Sequence, residues 1–244
     1  MFKAVLFDLD GTLVHYDYDA FLKSYLSSIA GYMGELVKPK DFIQKLMIST
    51  EVMLNSAEGK KTNMQIFWDD FPDRVGLARE VLHPMMEDFY AEDFPKLQKA
   101  LDVKPIASAR IIIEDLLARN IKVVIATNPI FPITAIEERM RWGDIADLPY
   151  TLITSYENSR YSKPNIKYYE EILEYINCLP QECLMIGNNT CEDLVAGDLG
   201  ITTFLVEDCL LDIGPFQREP DHQGSFADLS TFIAAQFVCT KSNV

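Results

Sequence analysis

The chain alternates between short apolar runs and longer segments in which apolar residues recur at helical spacing. The apolar runs are rich in residues that favour β-structure and predict buried strands; they cover residues 4–7, 121–126, 150–154, 183–186 and 202–206. Between them, segments such as 166–176 place apolar side chains three and four residues apart, which is typical of a helix packed on a sheet. This alternation predicts an α/β fold with a doubly wound parallel sheet, in which the first strand is central between the strands that begin at Ile121 and Cys183.

A long stretch without strand signals separates the first strand from the rest of the sheet. After Val14 the pattern stays helical as far as residue 103. Four residues in this stretch are suited to start a helix, as side-chain caps or as first-turn prolines: Asp17, Pro39, Thr62 and Pro84. We therefore predict that residues 16–103 form an all-helical cap domain, inserted into a Rossmann-like core of residues 1–15 and 104–244.

Four of the predicted strands lead into clusters of polar residues. In chain order, the clusters are Asp8 and Asp10, then Thr127 and Asn128, then Lys163, and finally the loop from Gly187 to Asp193. In an open parallel sheet, ligands bind in the crevice beyond the carboxyl ends of the strands. The four clusters are therefore predicted to meet in one crevice, which would contain two aspartates, a hydroxyl, a lysine and a loop rich in Asn, Glu and Asp.

The spacing of Asp8 and Asp10 carries chemical information. In extended backbone, residues two positions apart place their side chains on the same face. The two like charges therefore repel unless a cation lies between them or one of the carboxyl groups takes part in acid–base chemistry. Gly11 permits the sharp exit of the chain from the strand. Taken alone, however, the motif is equally consistent with an acidic strand end followed by an ordinary Asp-Gly turn.

Composition narrows the classes of partner. Hydrophobic residues make up 48% of the 244 residues and charged residues 24%, which is ordinary for a soluble globular protein. The net charge of −15 argues against a nucleic-acid partner, because a phosphate backbone needs a basic groove. No apolar run reaches transmembrane length, so no membrane partner is expected. The five cysteines show neither zinc-type spacing nor a disulfide framework, which favours reduced thiols and a cytoplasmic location.

With these motifs in this order, the chain resembles the haloacid dehalogenase superfamily of aspartate-nucleophile phosphohydrolases. The resemblance rests on Asp8-x-Asp10-Gly11-Thr12, then Thr127, then Lys163, then the acidic loop that ends at Asp193, and it covers essentially the whole chain. It implies a Rossmann-like core with the helical insertion as its cap. It also implies Mg²⁺ as the cofactor and a small phosphorylated metabolite as the substrate.

The resemblance further implies a role for each matching residue. Asp8 would be the nucleophile that forms an aspartyl-phosphate, and Asp10 would protonate the leaving oxygen and then activate water. Thr127, Asn128 and Lys163 would hold the phosphoryl oxygens, together with backbone amides around Gly11. Dehalogenases of the superfamily usually lack an aspartate at the second position of the first motif, so its presence here favours phosphate ester hydrolysis.

The last motif departs from the usual pattern of the superfamily. The Mg²⁺ ligands implied by the resemblance are Asp8, Asp10, Asn188 and Asp193. Relatives usually carry an aspartate at the position of Asn188 or Asn189, and here both residues are amides. An amide oxygen is still a hard ligand, but one negative charge is missing, so we expect weakened metal binding with Asn188 as the narrowly preferred ligand. Asn189 could instead cap a helix, with Glu192 completing a capping box.

Together these features predict a Mg²⁺-dependent phosphatase that hydrolyses a small phosphorylated metabolite through an aspartyl-phosphate. The alternative is a catalytically weakened relative of the same fold that binds a ligand or a partner without turnover.

Overall fold

The computed structural model describes residues 2–211 and 218–236 and is built around one six-stranded parallel sheet. The strands are β1 (Ala4–Phe7), β2 (Val14–His15), β3 (Lys104–Pro105), β4 (Lys122–Ile125), β5 (Leu152–Ile153), β6 (Cys183–Gly187), β7 (Thr202–Val206) and β8 (His222–Gly224). The order in the sheet is β5-β4-β1-β6-β7-β8, and every neighbouring pair is parallel. The predicted parallel sheet, with the first strand between those that begin near Ile121 and Cys183, is confirmed.

Eight α-helices occur in the described ranges: α1 (Tyr18–Tyr32), α2 (Pro39–Leu54), α3 (Asn63–Val75), α4 (Arg79–Asp88), α5 (Ala107–Ala118), α6 (Ile133–Trp142), α7 (Ile166–Ile176) and α8 (Phe226–Gln236). Helix α7 has the predicted bounds and ends where Asn177 takes a left-handed conformation, with φ of 50°. None of the helices described is long and apolar enough to cross a membrane. Residues 212–217 and the end of the predicted core after residue 236 lie outside the described residues.

The central strand β1 is covered on both faces. Val5 and Phe7 belong to one apolar cluster, whereas Ala4 and Leu6 belong to a second cluster that includes Tyr168 of α7. Alternate side chains of a strand point to opposite faces, so this division shows that helices cover both sides of the sheet. A strand buried on both faces is uniformly apolar, which explains why its sequence shows no polar alternation.

The carboxyl ends of three strands are aligned by the register of the sheet. Phe7 pairs with Ile125 of β4 and with Ile186 of β6. The amide of Asp8 then donates to the carbonyl of Ile186 at 2.8 Å, and the amide of Ala126 donates to the carbonyl of Phe7 at 2.7 Å. The residues that follow β1, β4 and β6 therefore leave the sheet at the same edge.

The segment between β2 and β3 contains helices α1 to α4 and no strand. Strands β2 and β3 pair antiparallel, which brings the two ends of this insertion together. As the sequence predicts, Asp17 caps α1 by accepting from the amide of Ala20, and Thr62 caps α3. Thr62 also forms a capping box with Gln65, which was not predicted.

The prediction that Pro84 opens a helix is wrong, because α4 begins at Arg79 and Pro84 lies inside it. Leu82 and Met86 are buried four residues apart on one face of α4. Pro84 is exposed, so the carbonyl that lacks its helical partner at that position can bond to water. Burial of the apolar face therefore outweighs the local preference of proline for a first turn.

An aromatic cluster joins the helical insertion to the core. The ring of Phe21, in α1, lies 6.1 Å from Phe94 and from Phe131 and 6.3 Å from Trp142, measured between centroids. Phe131 and Trp142 belong to the segment that follows β4, so one continuous apolar cluster spans both parts of the chain. The exact boundaries of a separate cap domain stay a prediction.

We predict that Phe21→Ala lowers the free energy of unfolding by about 3–5 kcal/mol, because it leaves a cavity in the fully buried aromatic cluster. Chemical denaturation followed by circular dichroism measures this change. Lys23→Ala, an exposed position of the same helix, is the matched control and should change stability little. Equal effects of the two substitutions would show that the cluster does not hold the insertion to the core.

Candidate active site

The side chain of Lys163 joins two carboxylates at the shared edge of the sheet. Its ammonium lies 2.8 Å from Asp8 Oδ1 and 2.6 Å from Asp193 Oδ1, and the lysine side chain is fully buried. Asp8 directly follows β1, and Asp193 lies in the loop after β6. Three of the predicted site residues, from distant parts of the chain, thus form one hydrogen-bonded ion cluster.

This cluster carries more negative than positive charge when its groups are ionised. Burial raises the pKa of Asp8 to about 8; Lys163 acts in the opposite direction, and the nearby Asp193 and Asp10 raise the pKa further. Burial lowers the pKa of Lys163, but the two carboxylates outweigh it and hold the pKa well above its usual value. Burial also raises the pKa of Glu192, to about 7. Such an excess of buried carboxylate charge favours the binding of a proton or a cation.

Asp8 keeps one carboxylate oxygen available. Its Oδ1 accepts from Lys163, whereas Oδ2 has no hydrogen-bond partner among the described residues. An oxygen without a partner, beside a fixed ammonium, can attack an electrophile or bind a metal ion.

Asp10 is held by two residues that the sequence analysis missed. Arg139, in α6, forms an ion pair with Asp10 Oδ2, and the hydroxyl of Tyr16 donates to Oδ1. Arg139 is only 1% exposed. It lies on the buried face of α6 with Ala135 and Met140, and a charged residue at such a position is the signal that could have identified it.

The loop after β4 carries Thr127 and Asn128. The hydroxyls of Thr154 and Tyr168 donate to the carbonyl of Thr127 at 2.8 Å and 2.9 Å, which fixes the backbone beside Asp8. Asn128 donates to Glu192 Oε1 at 3.0 Å and so connects this loop to the loop after β6. The Oδ1 atom of Asn128 is buried and has no hydrogen-bond partner among the described residues, which leaves an acceptor for a ligand or a water molecule.

The turn after β1 brings Gly11 against Asn188. Gly11 has φ of 83°, and a Cβ atom there would lie 2.3 Å from Asn188 Nδ2, so glycine is required on both counts. Asn188 donates to the carbonyl of Cys209 at 2.6 Å and accepts from the hydroxyl of Thr12 at 3.2 Å. The amide of Gly11 donates to the carbonyl of Val14 at 2.8 Å and is therefore already occupied in this structure.

Asn189 organises the loop after β6. Its side-chain Oδ1 accepts from the backbone amides of Cys191 and Glu192 at 3.0 Å, and its backbone amide donates to Asp193 Oδ2 at 3.0 Å. The prediction that Asn189 caps a helix is wrong, because its side chain closes a turn and the short helix that follows begins at Leu194, after Asp193. The side chain of Glu192 bonds to Asn128 and does not complete a capping box. The loop also holds Asp193 in the orientation that meets Lys163.

The residues proposed as Mg²⁺ ligands lie in two groups. Asp8 and Asp193 are brought together by Lys163, whereas Asp10 pairs with Arg139 and Tyr16; both carboxylate oxygens of Asp193 and both of Asp10 have protein partners. Asn188 retains a second lone pair on Oδ1. Within residues 2–211 and 218–236, no three His, Cys, Asp or Glu side chains form a metal-ligand cluster. The excess carboxylate charge and the oxygen donors nevertheless fit a divalent cation at Asp8 and Asp193, with Asn188 as a further donor.

A separate cavity of about 610 Å³ lies between α2, α3, α4 and the loop that contains Ile130. Its walls include Trp68, Met86 and Tyr90, and none of the predicted site residues lines it. Its size therefore gives no measure of a substrate bound at Asp8.

Comparison with known proteins supplies the family. The model for haloacid dehalogenase-like hydrolases matches residues 5–206, which is most of the chain. The chain belongs to this family. The relationship expected from the four motifs is thereby confirmed, and the protein is a hydrolase of the haloacid dehalogenase type.

Individual relatives include more than one chemistry. A glyceraldehyde 3-phosphate phosphatase of Methanothermobacter thermautotrophicus is 25% identical over 228 residues, 91% of each chain. A predicted phosphoglycolate phosphatase from Haemophilus somnus has a TM-score of 0.57 at 17% identity, covering 95% of this chain and 97% of the other. An L-2-haloacid dehalogenase from Xanthobacter autotrophicus has a TM-score of 0.57 at 15% identity, covering 98% and 100%. The structural likenesses show the shared fold and do not separate the two activities.

We predict that Lys163→Gln lowers the free energy of unfolding by about 3–5 kcal/mol, because it leaves Asp8 and Asp193 buried without their cation. Denaturant titration in metal-free buffer measures the change. Lys167→Gln, an exposed position four residues later, is the control and should stay close to the wild type. A loss below about 1 kcal/mol, the range of exposed ion pairs, would mean that the cluster is solvated and not buried.

Proposed function

We propose that this hydrolase is a phosphatase acting on a small phosphorylated metabolite, with Asp8 as the nucleophile and Asp10 as the acid and base. The observation that carries the proposal is the separate support of the two carboxylates. Asp8 retains a free oxygen beside Lys163, whereas Asp10 is held by Arg139 and Tyr16. One group is thus available to attack phosphorus while the other is fixed for proton transfer.

The proposed reaction has two steps. Asp8 Oδ2 attacks the phosphorus atom as the ester P–O bond breaks, and the leaving oxygen takes a proton from the carboxyl group of Asp10. Water then attacks phosphorus, its proton passes to Asp10, and the bond between phosphorus and Asp8 breaks. The ammonium of Lys163 and the polar groups of Thr127 and Asn128 would stabilise charge on the phosphoryl oxygens in both steps.

Mg²⁺ is part of this proposal, held by Asp8 and Asp193 with Asn188 as a third oxygen donor. When bound, the ion would neutralise charge on the phosphoryl group and on the carboxylates. Asp10 was also expected as a ligand and stays part of the prediction, since its two side-chain oxygens have protein partners just as those of Asp193 do.

The presence of Asp10 favours a phosphatase over a dehalogenase. A phosphate ester leaves an alkoxide oxygen that needs a proton, whereas a halide leaves without one. The relative named glyceraldehyde 3-phosphate phosphatase gives independent support for a phosphorylated small molecule. A cytoplasmic location and the lack of a nucleic-acid partner stay predictions from composition.

The second candidate function is ligand or partner binding without turnover. The amides at Asn188 and Asn189 favour it, because they remove a negative charge from the proposed cation site. A screen of phosphate release over a panel of phosphorylated metabolites, at several Mg²⁺ concentrations, separates the two candidates. Release from none of them would favour the binding protein.

We predict that Asp8→Asn abolishes phosphate release from the best substrate of that screen and leaves the protein folded. The amide has the shape of the carboxylate but cannot form an acyl-phosphate. Colorimetric phosphate assays and thermal unfolding test both parts of the prediction. Asp19→Asn, the same substitution at an exposed position, is the control. Near-normal turnover by the Asp8 variant would remove this residue from the nucleophile role.

We predict that wild type needs an unusually high Mg²⁺ concentration and that Asn188→Asp lowers the half-saturating value by about 10–100-fold. In chelator, the same variant should lose about 1–3 kcal/mol of stability, because its carboxylate would face the carbonyl of Cys209 where Nδ2 now donates. Added Mg²⁺ should restore this loss, since a cation bound only to the folded state stabilises it.

Thermal unfolding and activity across a Mg²⁺ titration measure both effects. Asn189→Asp is the matched control, because it adds the same charge to the same loop and keeps the acceptor for two backbone amides. Saturation of the wild type at low Mg²⁺, with no gain in Asn188→Asp, would show that the amide does not weaken metal binding.

A further inference from the structure

The buried ion pair between Arg139 and Asp10 is an unusual use of an arginine. The guanidinium lies 4.7 Å from the ring centroid of Phe131 and 5.8 Å from that of Phe21, and Nε donates to the carbonyl of Ala135 at 3.3 Å. Burying a guanidinium is costly unless it is paired with good geometry. These contacts fix its position before any substrate is present.

A second group holds the other oxygen of the same carboxylate. Tyr16 lies between β2 and α1, and its hydroxyl donates to Asp10 Oδ1. Its ring contacts Phe21 at 5.3 Å and Trp142 at 6.0 Å between centroids, so the aromatic cluster positions it as well. With one partner on each oxygen, the carboxylate of Asp10 cannot rotate freely.

The supports of the two aspartates are independent of each other. Lys163 bonds to Asp8 and Asp193, whereas Arg139 bonds to Asp10 and reaches neither of the others by any hydrogen bond or ion pair in the described part of the chain. A substitution of Arg139 is therefore expected to act on the reaction through Asp10 alone.

We propose that Arg139 and Tyr16 are positioning residues that hold Asp10 for proton transfer to and from the leaving-group oxygen. This inference rests on the proposed phosphatase activity. In the first step Asp10 gives up a proton and becomes a carboxylate, and the guanidinium stabilises that anion without having to move. In the second step the carboxylate takes a proton from the attacking water, which restores its starting form.

This role predicts a dependence on the leaving group. An alkoxide must be protonated as it departs, whereas p-nitrophenolate is stable enough to leave without a proton. We expect Arg139→Gln to lower kcat/KM, which reports on the first step and not on the hydrolysis that follows it, by about 100-fold or more for the best alkyl phosphate of the metabolite screen, and by less than about tenfold for p-nitrophenyl phosphate.

Four variants make this measurement specific. Arg139→Lys keeps the charge and should recover part of the lost turnover of the alkyl ester. Asp10→Asn should reproduce the leaving-group dependence, and the double variant with Arg139→Gln should be no slower than Asp10→Asn alone. Arg141→Gln, two residues further along α6 and exposed, should leave both rates unchanged.

Tyr16→Phe provides a second test of the proposal in case Arg139→Gln does not fold. It removes one hydroxyl, keeps the ring in the aromatic cluster, and should shift the two rates in the same direction as Arg139→Gln. Thermal unfolding of each variant shows whether it is folded under assay conditions.

Equal losses of kcat/KM with the two esters in folded variants, or losses that add fully in the double variant, would overturn the positioning role and leave the proposed function intact. Release of phosphate from neither ester by the wild type would overturn the proposed function and this inference together.

Discussion

The carboxylates of Asp8 and Asp193 lie at the ends of neighbouring strands, where the fold shields them from water, and the ammonium of Lys163 lies between them. Without that cation, two buried like charges would oppose the closure of the loops that carry them. The ammonium of Lys163 thus joins the loop before α7 to the segments that follow β1 and β6. An excess of negative charge remains in this cluster when both carboxylates are ionised, which favours the binding of a proton or a cation.

The charge of Asp10 is paired with a different cation from the charge of Asp8. Because each carboxylate has its own cation, two closely spaced aspartates are compatible with folding. Arg139, in α6, pairs with Asp10, whereas Lys163, in the loop before α7, pairs with Asp8. Each cation is buried, and Nη2 of Arg139 has no hydrogen-bond partner among the described residues. The two aspartates therefore have different partners in the structure.

The helical insertion is anchored to the loops that form the site. At the start of α3, the amide of Asn63 donates to the carbonyl of Ser159, and its side chain donates to the carbonyl of Pro129 and to the hydroxyl of Ser162. These are the residues that flank Asn128 and Lys163. The insertion therefore contacts the segments that follow β4 and β5, which carry Asn128 and Lys163.

The local pattern of apolar and polar residues was enough to predict much of the fold and part of the candidate site. The strand of residues 4–7, helix α7 and the meeting of Asp8, Lys163 and Asp193 follow from apolar periodicity and from the rule that parallel strands end at one edge. Strand β8 was missed, because it is a short edge strand without an apolar run. The pairing of Arg139 with Asp10 was not predicted, because Arg139 lies inside helix α6 and not directly after a strand, so the rule about strand ends does not apply to it. Which helix face meets which strand end is decided by three-dimensional packing, and only the tertiary structure shows where a buried charge finds its partner.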